Sequence, residues 1–205
     1  MAVYFVRHGE TKCNIDGVYY GSLDVPITDK GRQQAEHVGE LLKDVTFDRI
    51  ICSGLKRTKE TAEAVLSRQN PENPVPKVWE YEPKLNEMNF GAWEGMHYTE
   101  VRERYPEDYR AMMDDWVGCA PTDGEYFLDF NRRVIDGFKG LNLSGKENVL
   151  VVAHGGSIQC MMCHLLGMDA VNIWHLQIRH GAYTVFDLSY DFPVLQGMNL
   201  GVEHE

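Results

Sequence analysis

No apolar run in the sequence approaches the ~20 residues that a membrane-crossing helix requires, and the first residues lack the basic, apolar and small-residue succession of a secretory signal. Both absences point to the cytoplasm. Cysteine is scarce and odd in number, five in 205 residues, which fits free thiols in a reducing compartment better than a disulfide framework. Positive charge is in deficit: 20 Lys and Arg against 31 Asp and Glu give a formal charge of -11. That balance argues against nucleic-acid and anionic-membrane partners, while a small anion held by local groups stays compatible with it. Internal repeats and low-complexity tracts are absent too. With 43% hydrophobic residues the chain is long enough to bury a substantial core, and one domain over 1–205 with an insertion is the simplest count.

What is present is organised around three short apolar runs, each ending in polar residues before a glycine. Val3-Tyr4-Phe5-Val6 leads into Arg7-His8-Gly9-Glu10-Thr11, Arg49-Ile50-Ile51-Cys52 into Ser53-Gly54, and Asn148-Val149-Leu150-Val151-Val152-Ala153 into His154-Gly155-Gly156. Runs of this length and β-branched content predict buried strands. Thr28 is a good N-cap for a helix to about Lys43, with Gly31, Ala35, Val38, Leu41 and Leu42 at helical spacing. A second helix, about Leu55 to Arg68, carries Arg57 in its first turn. Asn14 to Pro26 reads as a loop and Lys77 to Tyr81 as a third strand. An acidic, aromatic stretch of about 83–123 lacks a strand pattern and predicts a cap of short helices. Glu125 to Gly140 resumes an amphipathic helix, Ser157 to about Leu166 forms an apolar one, and Ala182 to Leu188 and Pro193 to Asn199 are further strands. Strands alternating with helices imply an α/β three-layer sandwich: a doubly wound, mostly parallel sheet, helices on both faces, the cap inserted.

In an open α/β sheet the crevice lies outside the carboxyl ends of the strands. His8 and His154, each ending a buried strand, are therefore expected to face one site with Arg7 and Arg57. Arginine donates bidentately to phosphate and keeps its charge. Unprotonated imidazole accepts transferred groups, and two flanking guanidinium groups should lower the pKa of His8 and keep its lone pair free. His154 could remain a donor to a phosphate oxygen, with Gly155, Gly156 and Ser157 adding N–H groups at a helix start. These residues predict a site for one phosphoryl group.

The ordered set Arg7-His8-Gly9-Glu10-Thr11 with Asn14, Ser53-x-x-x-Arg57-x-x-x-Thr61-Ala62, Glu87 in Leu85-Asn86-Glu87, and His154-Gly155-Gly156 resembles the histidine phosphatase superfamily, also called phosphoglycerate mutase-like. The resemblance implies that His8 forms a phosphohistidine and that Arg7, Arg57 and His154 bind the phosphate, assisted by Asn14. It also implies that Glu87 protonates the leaving alkoxide and later activates water, without a metal or other cofactor. Tyr20-Gly21-x-x-Asp24-Val25-Pro26, Leu85-Asn86-Glu87-Met88-Asn89-Phe90-Gly91-x-Trp93-Glu94-Gly95 and Pro121-x-x-Gly124-Glu125 are similar to the branch that dephosphorylates α-ribazole 5'-phosphate in cobalamin assembly. Gly21, within the first of these blocks, and Gly155, at the helix start, complete the expected substrate-binding set.

Mutases of the family carry basic residues after the acid, whereas Glu87 is followed by uncharged Met88, Asn89 and Phe90. A small-molecule phosphomonoester and hydrolysis are therefore the expectation; a broad-specificity or sugar phosphatase is the alternative, and a homodimer is left open. Ten acidic against three basic residues between Glu87 and Glu125 would repel a polyphosphorylated substrate if that segment roofs the site. Tyr20, Phe90, Trp93 and Trp116 could supply a surface for a flat base, though for Trp116, as for Trp174-His175, packing is the favoured role. Cys160 and Cys163 are read as core packing, since zinc would require His154 to leave the phosphate.

Overall fold

The computed structural model describes residues 2–74, 76, 79–143 and 147–202. Its strands are β1 (Ala2–Arg7), β2 (Arg49–Cys52), β3 (Trp79–Tyr81), β4 (Val149–Ala153), β5 (Tyr183–Asp187) and β6 (Val194–Leu200), and its α-helices α1 (Lys12–Asp16), α2 (Asp29–Leu41), α3 (Lys56–Leu66), α4 (Tyr98–Arg104), α5 (Pro106–Asp114), α6 (Phe127–Gly140) and α7 (Gly155–Leu165). The strands form one sheet in the order β3-β2-β4-β1-β5-β6. The first four run parallel, and β5 and β6 close the far side antiparallel.

Alternation along the central strands sorts their side chains onto two faces. Val3, Phe5, Ile51, Val149, Val151 and Ala153 join Phe130, Val134 and Phe138 of α6 and Ile158, Met161 and Met162 of α7. Val6, Ile50, Cys52, Leu150 and Val152 join Ala35 and Val38 of α2 and Ala62, Ala64 and Val65 of α3. The result is a three-layer α/β sandwich. All five residues of β4 are buried, and each of its large side chains contributes about 1.5–3 kcal/mol on burial.

Register decides where the polar residues emerge. Arg7 pairs with Ala153 and Cys52 with Val152, so the three strands end level. The His8 N–H reaches the Ala153 carbonyl at 3.0 Å and the Ser53 N–H reaches that of Val152 at 3.2 Å, which sets His8, Ser53 and His154 along one edge.

Several boundaries differ from the sequence reading. Residues 12–16, which overlap the first three positions of the expected loop, form α1 because Thr11 and Asn14 cap it reciprocally, Asn standing where the usual box has Glu or Gln. Leu42 takes the inward position at the end of α2, which turns Leu41 out to 44% exposure. α7 starts two residues earlier than expected, at Gly155, and α6 two residues later, at Phe127. In the third strand, Lys77 and Val78 lie outside the described residues. Between 83 and 123 the described backbone holds α4, α5 and two short 3-10 turns, Pro83–Leu85 and Gly91–Trp93.

Candidate active site

At the carboxyl ends of β1 and β4 the imidazole rings of His8 and His154 stand 5.2 Å apart, close enough for one phosphate to reach both. Both are buried, His8 with 3% exposure. His8 Nδ1 lies 2.8 Å from the Gly9 carbonyl oxygen, which can only accept, so Nδ1 carries the proton and Nε2 keeps its lone pair. Gly9 itself is tightly held. A Cβ there would lie 2.3 Å from the Gly31 oxygen, and one at Gly31 would lie 2.3 Å from the Glu10 oxygen. The two glycines thus let α2 lie against the backbone that carries His8, while the Gly9 N–H donates to Thr61 Oγ1 at 2.9 Å.

Arg57 has no solvent exposure. Its Nη1 donates to the Leu23 carbonyl and its Nη2 to that of Gly21, both at 2.7 Å. Its Nε donates to His154 Nδ1 at 3.2 Å, and its Cζ lies 4.9 Å from the Tyr20 ring centroid. The loop supplying those carbonyls is gathered by one carboxylate. Glu94 Oε1 accepts from the N–H groups of Gly21 (3.1 Å) and Ser22 (2.7 Å), and Oε2 from that of Leu23 (2.7 Å). Arg7 Nη1 donates to the Ile178 carbonyl at 2.8 Å, while its buried Nε has no hydrogen-bond partner among the described residues. His154 Nε2 meets Ser53 Oγ at 2.7 Å. Glu87 Oε2 accepts from the Gly156 N–H at 2.9 Å and Oε1 from the Met88 N–H at 3.0 Å, tying the acid to the first turn of α7.

Burial is the largest force on both imidazoles. It lowers the pKa of His8 well below the usual 6.5, with Arg57, His180 and Arg7 adding to it. His154 is lowered in the same way, by burial first and then by Arg57, His8 and Arg7. The guanidinium effect expected from the sequence is present but second in size. His180, which the sequence reading did not assign, donates from Nδ1 to the His8 carbonyl at 2.6 Å and is brought down to about 4 by burial and Arg7.

Arg7, His8, Arg57, Glu87, Gly155 and Gly156 line a cavity of about 760 Å³, with His154 directly behind Arg57. Three expected contacts stand one step back, the first being His154, which does not line the cavity and has Nδ1 on Arg57 Nε and Nε2 at Ser53 Oγ instead of free for a phosphate oxygen. Gly21 has its carbonyl on Arg57 and its N–H on Glu94, so it positions the guanidinium instead of lining the cavity. Asn14 Oδ1 is taken up by Thr11 and by the Tyr20 hydroxyl at 2.8 Å; it holds Tyr20, which does line the cavity.

The outer wall is apolar and aromatic, with Met112, Met113, Trp116, Phe127 and Trp174. Trp93, expected there, is fully buried in the core and donates to Thr122 Oγ1. Trp174, expected to pack, is 69% exposed and meets Trp116 edge-on at 5.5 Å. The acidic wall does not form either. Of the ten acids only Glu87 lines the cavity, and Glu94 and Glu125 are occupied by backbone N–H groups and by Arg133. Cys160 and Cys163 are buried in the α7 core.

Sequence reasoning passed over His180, Glu94, Arg133 and Ser53 as working groups. Glu94 and Ser53 lie inside blocks already singled out, so the signal was there for them; His180 and Arg133 had none.

A fold and a site of this kind define a phosphoryl-handling protein, and the chain belongs to the histidine phosphatase superfamily (branch 1), whose pattern matches residues 3–201. It is 37% identical to the adenosylcobalamin/alpha-ribazole phosphatase of Escherichia coli K12, with both chains covered in full. The crystal structure of the alpha-ribazole phosphatase from Shigella flexneri superposes with a TM-score of 0.90 at 36% identity, again over 100% of both chains. Phosphoserine phosphatase 1 of Hydrogenobacter thermophilus is similar at 32% identity over 95% of this chain and 90% of that one.

Proposed function

We propose that this chain is a metal-independent phosphomonoesterase that works through a phosphohistidine on His8 and hydrolyses α-ribazole 5'-phosphate in building the nucleotide loop of cobalamin. The observation that carries the reading is the buried His8 imidazole beside two guanidinium groups in the lining of one partly aromatic cavity, with the His154 ring 5.2 Å from His8. His8 Nε2 attacks phosphorus while Arg7 and Arg57 hold the non-bridging oxygens and His154, accepting from Arg57 Nε, helps to orient that guanidinium. The ester P–O bond breaks as Glu87 gives its proton to the departing oxygen. The Glu87 carboxylate then takes a proton from water, the resulting hydroxide attacks phosphorus, the P–N bond breaks, and orthophosphate leaves with His8 Nε2 restored. Asn14 and Gly21 act through Tyr20 and Arg57.

The leaving alcohol occupies the outer cavity, whose Trp116 and Trp174 suit a flat aromatic base. Among the described residues the lining has no cation besides Arg7 and Arg57, which favours transfer to water over the mutase action of relatives that hold a second anion. In this reading residues 1–205 act as one unit with 83–123 as roof, in the cytoplasm; no helix among the described residues is long and apolar enough to cross a membrane.

Mixing enzyme with labelled substrate and quenching in base should trap an acid-labile phosphoprotein, absent in His8→Ala together with turnover. Full activity in that variant removes the mechanism. Comparable kcat/KM for simple sugar phosphates removes the substrate and leaves the broad-specificity alternative.

A further inference from the structure

The acid-bearing loop has a dedicated clamp. Arg133, on α6, donates from Nη1 to the carbonyls of Lys84 (2.8 Å) and Asn86 (3.1 Å), and from Nη2 to the carbonyl of Glu87 itself (3.3 Å). The other edge of the same guanidinium is paired with Glu125: Nε to Oε1 at 2.8 Å and Nη2 to Oε2 at 2.7 Å. Glu125 in turn accepts from the Asn89 N–H at 3.3 Å, and its own N–H donates to the Asn89 carbonyl at 2.8 Å. One planar fork thus grips residues 84–87 while its counter-ion grips residue 89, so the segment that carries Glu87 is held on both sides. Packing reinforces this, since a Cβ at Gly137 of α6 would come within 2.6 Å of Lys84 Cβ.

We propose that Arg133, aligned by Glu125, is a positioning residue that fixes Glu87 for proton transfer to the leaving oxygen. This rests on the acid role given to Glu87 above. The chemistry requires a guanidinium: its Nε, Nη1 and Nη2 together engage three carbonyls and one carboxylate, a pattern that a lysine ammonium, as a point charge, does not match. Arg133 is absent from the cavity lining, so it does not touch the substrate, and its hydrogen bonds run to the segment that carries Glu87 and to Glu125. Its loss is felt where protonation of the leaving group limits the rate, and not where the leaving group departs readily as an anion.

The test compares kcat/KM on an alkyl phosphomonoester and on p-nitrophenyl phosphate for wild type, Arg133→Lys, Glu125→Gln and Glu87→Gln, with the melting temperature of each. General acid catalysis supplies about 10²–10⁴-fold, so Glu87→Gln should lose about that much on the alkyl ester and far less on the nitrophenyl ester. Arg133→Lys and Glu125→Gln should show the same selectivity, with kcat/KM about 10–100-fold lower on the alkyl ester and kept within about threefold on p-nitrophenyl phosphate. Equal loss on both esters, or no loss on either, in a folded Arg133→Lys or Glu125→Gln would overturn the positioning role. If Glu87→Gln itself fails to discriminate between the esters, the acid assignment falls first, and the clamp with it. Where Arg133→Lys does not accumulate as folded protein, the milder Glu125→Gln decides.

Discussion

Lowering the pH should destabilise this protein before its carboxylates titrate, because three histidines at one place refuse protons. His8, His154 and His180 have folded-state pKa values held below 6.5 by burial first of all, whereas in the unfolded chain each returns to about 6.5. Depressed folded values mean that the unfolded state binds more protons as pH falls, so stability is complete above about pH 7.5 and lost progressively below the unfolded value. Between about pH 7.5 and pH 5.5 the unfolded form of one such histidine gains about 1.4 kcal/mol over the folded form, and three give about 4 kcal/mol.

With a denaturant slope of about 2 kcal/mol/M, that is a drop of about 2 M in the urea midpoint. The measurement is urea unfolding followed by circular dichroism at the two pH values in phosphate-free buffer, since bound phosphate would add its own linkage. His180→Gln should take away about a third of the drop while leaving the rest. A midpoint that barely moves, or a loss undiminished in His180→Gln, would refute the claim that these imidazoles are neutral and buried.

Two further outcomes follow from the geometry. Glu94→Gln replaces a carboxylate that accepts backbone N–H groups on both oxygens with an amide whose NH2 can accept none and whose charge is gone; at about 1.5–3 kcal/mol for a charged hydrogen bond, kcat/KM should fall about 10–100-fold as the loop under Arg57 loosens, and steady-state kinetics with a melting curve would register it. Trp174→Ala should leave the melting temperature unchanged, since the ring is 69% exposed, yet lower kcat/KM on α-ribazole 5'-phosphate about 2–12-fold with no effect on methyl phosphate, from an aromatic contact of about 0.5–1.5 kcal/mol.

Much of the architecture could be read from local pattern. The strands ending at Arg7, Cys52 and Ala153 are marked by unbroken apolar runs, and a polar residue beyond each is enough to place His8, Ser53 and His154 at one sheet edge. Thr28 caps α2 as its side chain predicts, accepting from the Gly31 N–H at 3.0 Å. The residues that were not legible are those whose partners are backbone atoms far away in sequence. Arg133 reaches carbonyls 46–49 positions away, and Glu94 gathers amides 71–73 positions away. No periodicity reports such a bond, because carbonyls and amides look the same whatever the residue. The aromatic residues failed for a related reason. Trp93 and Trp174 are the same residue type, and only the path of the backbone around each sends one into the core and leaves the other exposed against the cavity.

Arg57 meets its ligand already immobile. Two carbonyls, an imidazole and the face of Tyr20 fix its plane during folding, so little side-chain freedom is left to lose when a phosphate arrives. A cation frozen in this way cannot distinguish an ester from the bare anion: orthophosphate released at the end of the cycle finds the same donors at the same spacing. Any advantage of substrate over product must then reside in the organic half of the molecule, held by methionine and tryptophan side chains and not by charge.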